Sequence, residues 1–291
     1  MDSNQAQKEL THLLEHRYGR REAGVIADWV MEHITGWKKL DRLVRKTEPL
    51  GAEALENYVR YRDQLLAGRP VQYVLGESWF AGERFFVDER VLIPRPETEE
   101  LVDWVGEEVW EAREWEGERG HGALLDVGTG SGCIAITLSR RMPGVEVHAC
   151  DVSEGALAVA RRNASGLGAQ VSFWGLDFLD EQQWAALPVM RWLVSNPPYI
   201  PIRERATMAA HVIEAEPALA LFVPDEDALV FYRALGVFAR RRLAPAGALF
   251  VEIHEDLGAA VGKLLTELGA KEVVLRKDLQ GKDRMIKATW E

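Results

Sequence analysis

The chain changes its hydrophobic rhythm near residue 76. Before that point, apolar residues recur at intervals of three and four: Leu10, Leu13 and Leu14, then Ala27, Val30, Met31 and Ile34, then Leu55, Val59, Leu65 and Leu66. That spacing predicts amphipathic helices. Pro49-Leu50-Gly51 and Ala67-Gly68-Arg69-Pro70 punctuate them, as turn residues do. The segment reads as a small helical bundle with no catalytic pattern, suited to packing or to docking a partner. Beyond it, Ser78-Trp79-Phe80 and Arg84-Phe85-Phe86-Val87 flank Ala81-Gly82-Glu83 and predict a hairpin. In Pro94-Arg95-Pro96-Glu97-Thr98-Glu99-Glu100, Pro96 suits a first helical turn and the acids suit the positive end of the helix dipole. Leu101, Val102, Trp104 and Val105 carry that helix on. The charged stretch from Glu107 to Gly122 reads as a solvated helix end and loop, with Trp110 and Trp115 as packing residues.

From Ala123 onward, short apolar runs alternate with helical patterns. The strands predicted are Ala123–Val127, Val145–Cys150, Val171–Trp174, Trp192–Val194 and Ala248–Ile253. The helices are Cys133–Met142, Gly155–Asn163 and Ala228–Leu243. Such alternation implies a parallel sheet covered on both faces. Glu272–Leu275 and Met285–Ala288 flank a turn region, Lys277 to Asp283, and predict a terminal hairpin on that sheet. The expected organisation is a helical bundle over 1–75, a linker and β-hairpin over 76–94, and an α/β domain over 95–291.

Composition narrows the picture only modestly. Among 291 residues, 47% are hydrophobic and 28% charged, as in ordinary soluble globular proteins. No apolar run approaches the roughly 20 residues of a membrane helix, and MDSNQAQKEL lacks the apolar core of a secretory signal. Cys133 and Cys150 have neither metal-ligand nor redox spacing, and read as small buried side chains in a reducing compartment. A cytoplasmic enzyme, off the membrane and without a metal, is the expectation. The net charge of −11 speaks against direct binding of nucleic acid, which relies on Lys and Arg neutralising phosphates.

The candidate chemistry gathers where strands end. Asp126-Val127-Gly128-Thr129-Gly130-Ser131-Gly132 runs from a strand into a glycine-dense turn before a helix. Glycines there allow a tight turn and a close ligand, and a helix start favours an anionic group; a ligand-free turn is the plainer alternative. Asp151, about twenty residues on and ending the next strand, is placed to accept from ribose hydroxyls, or else to cap a helix. Asp177-Phe178 would flank an adenine at the end of the third strand, with turn capping as the alternative for Asp177. After the fourth strand comes Asn196-Pro197-Pro198-Tyr199. Two prolines end strand pairing because each lacks an N–H. The motif is either a rigid turn or a rigid mount for an amide and an aromatic ring.

Alternate glycines at 128, 130 and 132 after Asp126 resemble the motif of class I S-adenosylmethionine-dependent methyltransferases. That resemblance implies a Rossmann-like, mostly parallel seven-stranded sheet with a terminal hairpin, and S-adenosyl-L-homocysteine as product. Asn-Pro-Pro-Tyr is similar to the signature of methyltransferases acting on a planar, conjugated nitrogen. Together with Gly68-Arg69-Pro70-Val71-Gln72-Tyr73-Val74-Leu75-Gly76 and Leu92-Ile93-Pro94-Arg95-Pro96-Glu97-Thr98-Glu99, the chain resembles the HemK/PrmC family of peptide-chain release factor glutamine N5-methyltransferases. The resemblance implies methyl transfer to the glutamine of the Gly-Gly-Gln motif in class I release factors, which the helical domain would dock. Gly128, Thr129, Gly130, Ser131, Gly132, Asp151, Phe178 and Asn196 would then contact the cofactor, and Asn196, Pro197, Pro198 and Tyr199 the glutamine. The Asn196 oxygen and the Pro197 carbonyl would accept from its NH₂, with Tyr199 packed on the planar group. Phe178 stands where the family often has Trp. Glu216-Pro217 resembles a family element, but it follows the less typical His211-Val212-Ile213-Glu214-Ala215 and receives no role. A ribosomal protein as substrate is the close alternative, and a nucleic-acid adenine or guanine the remoter one.

Overall fold

The computed structural model describes residues 1–116, 122–207 and 215–290. The sequence stretches 117–121 and 208–214, and the Trp115 side chain, lie outside the described residues. Two compact units are present among the described residues, 1–77 with Ala215 in one, and 78–207 with 216–290 in the other.

The first unit is helical throughout. Helix α1 (Ser3–Thr35) opens on a reciprocal capping box between Asp2 and Gln5, breaks its helical path at Gly19 (φ 73°), and stops at left-handed Gly36. It is followed by α2 (Lys39–Val44), α3 (Ala52–Leu66) and α4 (Val71–Leu75). Leu10, Leu14, Ala27, Val30 and Met31 pack against Tyr58, Tyr61 and Leu65. Leu13, Leu55, Val59 and Leu66 keep the helical spacing but are exposed. Aromatic rings fill the α3 side of the core instead, because the Tyr58 hydroxyl finds a buried acceptor, donating to the Ala6 carbonyl at 3.1 Å. Arg42 is buried, its guanidinium donating to Asp28 at 2.6 Å and to the Trp37 carbonyl at 2.8 Å.

The second unit begins with the predicted hairpin, β1 (Ser78–Phe80) and β2 (Glu83–Phe85). Its two loop residues, Ala81 and Gly82, both have positive φ, the turn that suits strand twist. Helix α5 (Pro96–Glu116) follows; its Trp110, expected to pack, is 57% exposed. Then come β3 (Ala123–Val127), α6 (Cys133–Arg141), β4 (Glu146–Asp151), α7 (Glu154–Leu167), β5 (Ser172–Gly175) and β6 (Met190–Ser195). A two-residue pairing of β7 (Ile200–Pro201) with β8 (Phe222–Val223) encloses the single turn α8 (Ala218–Leu221). The chain ends with α9 (Val230–Arg242), β9 (Leu243–Glu252), α10 (Gly258–Glu267), β10 (Glu272–Lys277) and β11 (Asp283–Thr289).

Seven strands form one sheet in the order β10-β11-β9-β6-β3-β4-β5. Strands β9, β6, β3, β4 and β5 are parallel, and β11 is antiparallel to both β9 and β10. Alternate strand residues serve opposite faces, as a period of two requires. Leu124, Trp192, Val194 and Phe250 pack with α5 and α6; Leu125, Leu193, Leu249 and Val251 pack with α9 and α10. The chain leaves β3 toward β4 and β5, then returns to place β6 on the other side of β3. Between β3 and β6 the strand order therefore reverses, and ligands of open α/β sheets bind beyond the carboxyl ends at such a reversal.

Candidate active site

Strand register brings the sequence motifs together. Val127 pairs with Cys150 on one side and with Ser195 on the other, and Ser195 pairs with Val251. One residue further along each strand stand Gly128, Asp151, Asn196 and Glu252, side by side at the carboxyl edge. The Ser195 hydroxyl donates to the Val127 carbonyl at 2.7 Å and ties the two central strands where they end.

The glycine turn is held from behind. Gly128, Gly130 and Gly132 all have left-handed φ, between 54° and 82°, a region in which other residues are strained. The Gly128 and Thr129 amides donate to the Cys150 carbonyl at 2.9 and 3.0 Å. The Thr129 hydroxyl donates to Asp126 Oδ2 at 2.6 Å, and the Ala135 amide donates to the same oxygen. Asp126 is fully buried, and burial pushes its carboxyl up to about 7. A Cβ built on Gly128 or Gly130 would meet nothing within 4 Å, whereas one on Gly132 would meet Ile136 at 2.8 Å and Ala160 at 3.1 Å. The first two glycines thus leave room for a ligand, and the third lets α6 and α7 approach.

Asp151 does not cap α7; Ser153 does, accepting from the Ala156 amide at 3.2 Å. The Asp151 carboxylate instead accepts from the Gly130 amide on Oδ2 and the Ser153 amide on Oδ1, each at 2.9 Å. Burial raises its pKa, and these backbone donors pull against that. Asp177 does cap a turn, its Oδ1 accepting from the Leu179 amide at 2.9 Å. Phe178 is 5% exposed and packs against Trp184 and Phe238, with ring centroids 5.4 and 5.2 Å away.

Across the edge, the Asn196 Nδ2 donates to Thr98 Oγ1 at 3.1 Å, and the Thr98 hydroxyl donates to Glu252 Oε2 at 2.6 Å. Thr98 and Glu252 are both 2% exposed, and burial pushes the Glu252 carboxyl up to about 7. Tyr199 lies with its ring 5.9 Å from that of His254, its phenol pushed up to about 12 by burial. Glu216 fixes the segment leading into α5: it accepts from the Ile93 amide at 3.3 Å and from the Arg95 guanidinium at 2.5 Å. Sequence reasoning gave Glu216 no role and did not single out Glu252.

One cavity of about 250 Å³ opens at this edge, and Gly128, Gly130, Asp151, Asp177, Phe178, Asn196, Pro197 and Pro198 are on its wall. Thr129, Ser131, Gly132 and Tyr199 are not: Thr129 and Ser131 are buried behind the turn, and Tyr199 packs toward the core beside α9. Arg90, Leu92, Pro217 and Phe231 are also on the wall, though sequence reasoning assigned them no place in the site. The combination is an open cradle at two glycines, a carboxylate with an acceptor left on each oxygen, an apolar slot at Phe178, and an amide opposite. Those features fit a nucleoside-bearing cofactor. Among the described residues, no cluster of His, Cys, Asp or Glu could hold a metal, and no helix is long and apolar enough to cross a membrane. Both cysteines are free and buried.

The sheet order, terminal hairpin and glycine turn define a Rossmann-like methyltransferase domain, and residues 116–237 match the family model described as the methyltransferase small domain. The hMettl16 catalytic domain shares the fold, with a TM-score of 0.53 and 16% identity over 82% of this chain and 81% of that one. Residues 5–76 match the PrmC N-terminal domain. The release factor glutamine methyltransferase of Bacteroides thetaiotaomicron is 39% identical over 94% of this chain and 95% of its own. That of Chlorobaculum tepidum is 41% identical over 90% and 89%. The chain belongs to the release factor glutamine methyltransferase family.

Proposed function

We propose that the cavity edge carries out methyl transfer from S-adenosylmethionine to the side-chain amide nitrogen of a release-factor glutamine, with Asn196 and the Pro197 carbonyl holding the acceptor. The observation that carries this reading is the register that seats Asn196 next to Gly128 on one cavity wall. The cofactor supplies an electrophilic methyl on a sulfonium. Gly128 and Gly130 leave its approach open, Asp151 offers two acceptors to a ribose, and Phe178 with Asp177 bounds the slot for a base.

An amide nitrogen is a poor nucleophile because its lone pair is delocalised into the carbonyl. Two acceptors fixed on its N–H groups favour lone-pair density directed at the methyl carbon, and stabilise the positive charge that grows on nitrogen. The prolines contribute by rigidity: Pro197 and Pro198 fix φ on either side of the carbonyl that accepts. Orientation of two bound reactants supplies much of the remaining acceleration. No strong base is needed, since the methylated amide cation sheds its proton readily. The glutamine of the Gly-Gly-Gln loop in class I release factors is the substrate that fits the family, with the helical unit as its dock.

Incubating the protein with labelled S-adenosylmethionine and separated release factors, ribosomal proteins and RNA tests the substrate. Label is expected in release factors alone; label confined to RNA or ribosomal protein rejects it. Asn196→Ala is expected to keep cofactor affinity while turnover falls ~10²-fold, as on removing one transition-state hydrogen-bond partner. Full turnover in that variant rejects the role given to Asn196.

A further inference from the structure

We propose that Thr98 and Glu252 are positioning residues that decide which end of the Asn196 amide faces the methyl acceptor, with ionised Glu252 selecting the productive end. The inference rests on the role given to Asn196 above. An amide side chain presents an oxygen at one corner and an NH₂ at the other, and its surroundings must choose between them. Here the choice follows from one proton. The Thr98 hydroxyl has a single hydrogen, and a carboxylate can only accept it. With that hydrogen given to Glu252 at 2.6 Å, the Thr98 oxygen can only receive, so the Asn196 atom 3.1 Å away is the NH₂. Oδ1 is then the other end of an amide that lines the cavity.

Protonation of Glu252 on Oε2 reverses the chain. Glu252 then donates to Thr98, Thr98 donates to Asn196, and the Asn196 oxygen turns inward. The NH₂ left outward would face the NH₂ of a glutamine amide, two donors in opposition. Thr98 and Glu252 are each 2% exposed, so bulk water does not replace either contact. The two residues are 154 positions apart and are brought together by the fold alone.

Charged and titratable groups face Glu252 from every side. Arg284 of β11 and Arg95 ahead of α5 favour its ionised form; Glu97 in the first turn of α5 opposes it. Tyr199 after β6, Tyr232 of α9 and Cys133 at the start of α6 also feel its charge, and burial holds all three protonated. The Tyr232 hydroxyl donates to the Glu252 backbone carbonyl at 3.1 Å and so fixes the strand end. Burial places the Glu252 carboxyl at about 7, within reach of ordinary changes in pH.

The test uses the full chain, saturating S-adenosylmethionine and a release factor in excess. Turnover is compared for wild type, Asn196→Ala, Thr98→Val, the Asn196→Ala/Thr98→Val double variant, Thr98→Ser and Glu252→Gln. Thr98→Val is expected to lower kcat ~10-fold or more, with the KM for cofactor little changed and Thr98→Ser restoring most of the rate. The double variant is expected to be no slower than Asn196→Ala, because Thr98 acts only through Asn196. Wild-type kcat is expected to fall about tenfold from pH 8 to pH 6 as a carboxylate of pKa about 7 protonates. Glu252→Gln, which has no proton to gain, should lack that acid limb. Thr98→Val slowing Asn196→Ala as much as it slows wild type, or acting at the full wild-type rate, overturns the proposal; so does an acid limb that survives in Glu252→Gln. If Asn196→Ala is itself fully active, the role of Asn196 falls and this inference falls with it. An impaired Asn196→Ala beside an unimpaired Thr98→Val removes the positioning role alone.

Discussion

Replacing Asp151 by Ala should weaken cofactor binding by about two orders of magnitude, for reasons that can be counted on the carboxylate. Each oxygen already accepts one backbone N–H at 2.9 Å, from Gly130 and from Ser153. The Val152 amide also favours the ionised carboxylate, but the two hydrogen bonds leave each oxygen an acceptor position, and Asp151 is on the cavity wall. Two ribose hydroxyls donating to a charged acceptor contribute about 1.5–3 kcal/mol each. Water entering the space left by the carboxylate recovers part of that, which leaves a net loss of about 3 kcal/mol, or ~10²-fold in Kd. Asn is a poor probe at this position, because its NH₂ would oppose either the Gly130 or the Ser153 amide. The assay is calorimetry with S-adenosylhomocysteine and with its counterpart lacking the ribose 2′-hydroxyl, on wild type and on Asp151→Ala. Wild type should lose about tenfold in affinity with the deoxy ligand, and the variant should not discriminate. Equal discrimination by both proteins would falsify the ribose assignment, and would leave Asp151 only the task of holding the Gly130 amide.

Glu216→Ala removes the acceptor of both Ile93 and Arg95. It should cost about 2–3 kcal/mol in urea unfolding, less than a fully buried pair, since the Arg95 side chain is 35% exposed. Gly132→Ala should cost about 2 kcal/mol or more, because a Cβ would press on Ile136 and Ala160 at a φ of +82°. Gly128→Ala meets no protein atom, so its stability cost should be only the ~1 kcal/mol of a non-glycine residue at a φ of +72°, with the larger effect in cofactor affinity. The folded Glu252 carboxyl, near 7, lies above its ordinary 4.5, so between those values the native state binds more protons than the unfolded one. Its contribution to stability is complete below pH 4.5 and lost as pH rises through 7, a fall of about 3 kcal/mol. Denaturant melts of wild type against Glu252→Gln from pH 5 to pH 8 should show that fall in the difference, and a difference independent of pH rejects it.

The architecture was legible wherever a local pattern carries it. The change from helical spacing to short alternating runs marked the sheet, and the glycine and Asn-Pro-Pro-Tyr motifs sat at strand ends as their turn chemistry requires. What stayed hidden depends on neighbours far along the chain. Thr98 meets Glu252 because β9 lies beside β6 and the first turn of α5 reaches the residues at their ends, and neither adjacency is written in local spacing. Glu216 reaches Arg95 across 121 positions for the same kind of reason. Helix α10 was not anticipated although Val261, Leu264 and Leu265 are spaced for it and buried. In α3 the apolar spacing placed Leu65 in the core but not Leu55, Val59 or Leu66, because Tyr58 and Tyr61 bury rings that a purely apolar pattern undercounts.

Two buried carboxylates at one sheet edge remain to be explained, since isolated acids in a core cost stability. Asp126 and Glu252 share a construction: each ends or nearly ends a strand, each is almost fully buried, and each accepts a threonine hydroxyl at 2.6 Å. Thr129, held by Asp126, belongs to the turn that the proposed function sets against the cofactor. Thr98, held by Glu252, receives the Asn196 amide, which the proposed function sets against the methyl acceptor. Apolar residues of similar volume would have packed these strand ends at lower cost, but an apolar contact has no direction and cannot orient a hydroxyl. Methyl transfer between two bound molecules requires donors and acceptors fixed in direction on both sides of the gap. The expensive charges lie behind the two surfaces where that requirement falls, which is the distribution expected if they serve orientation rather than stability.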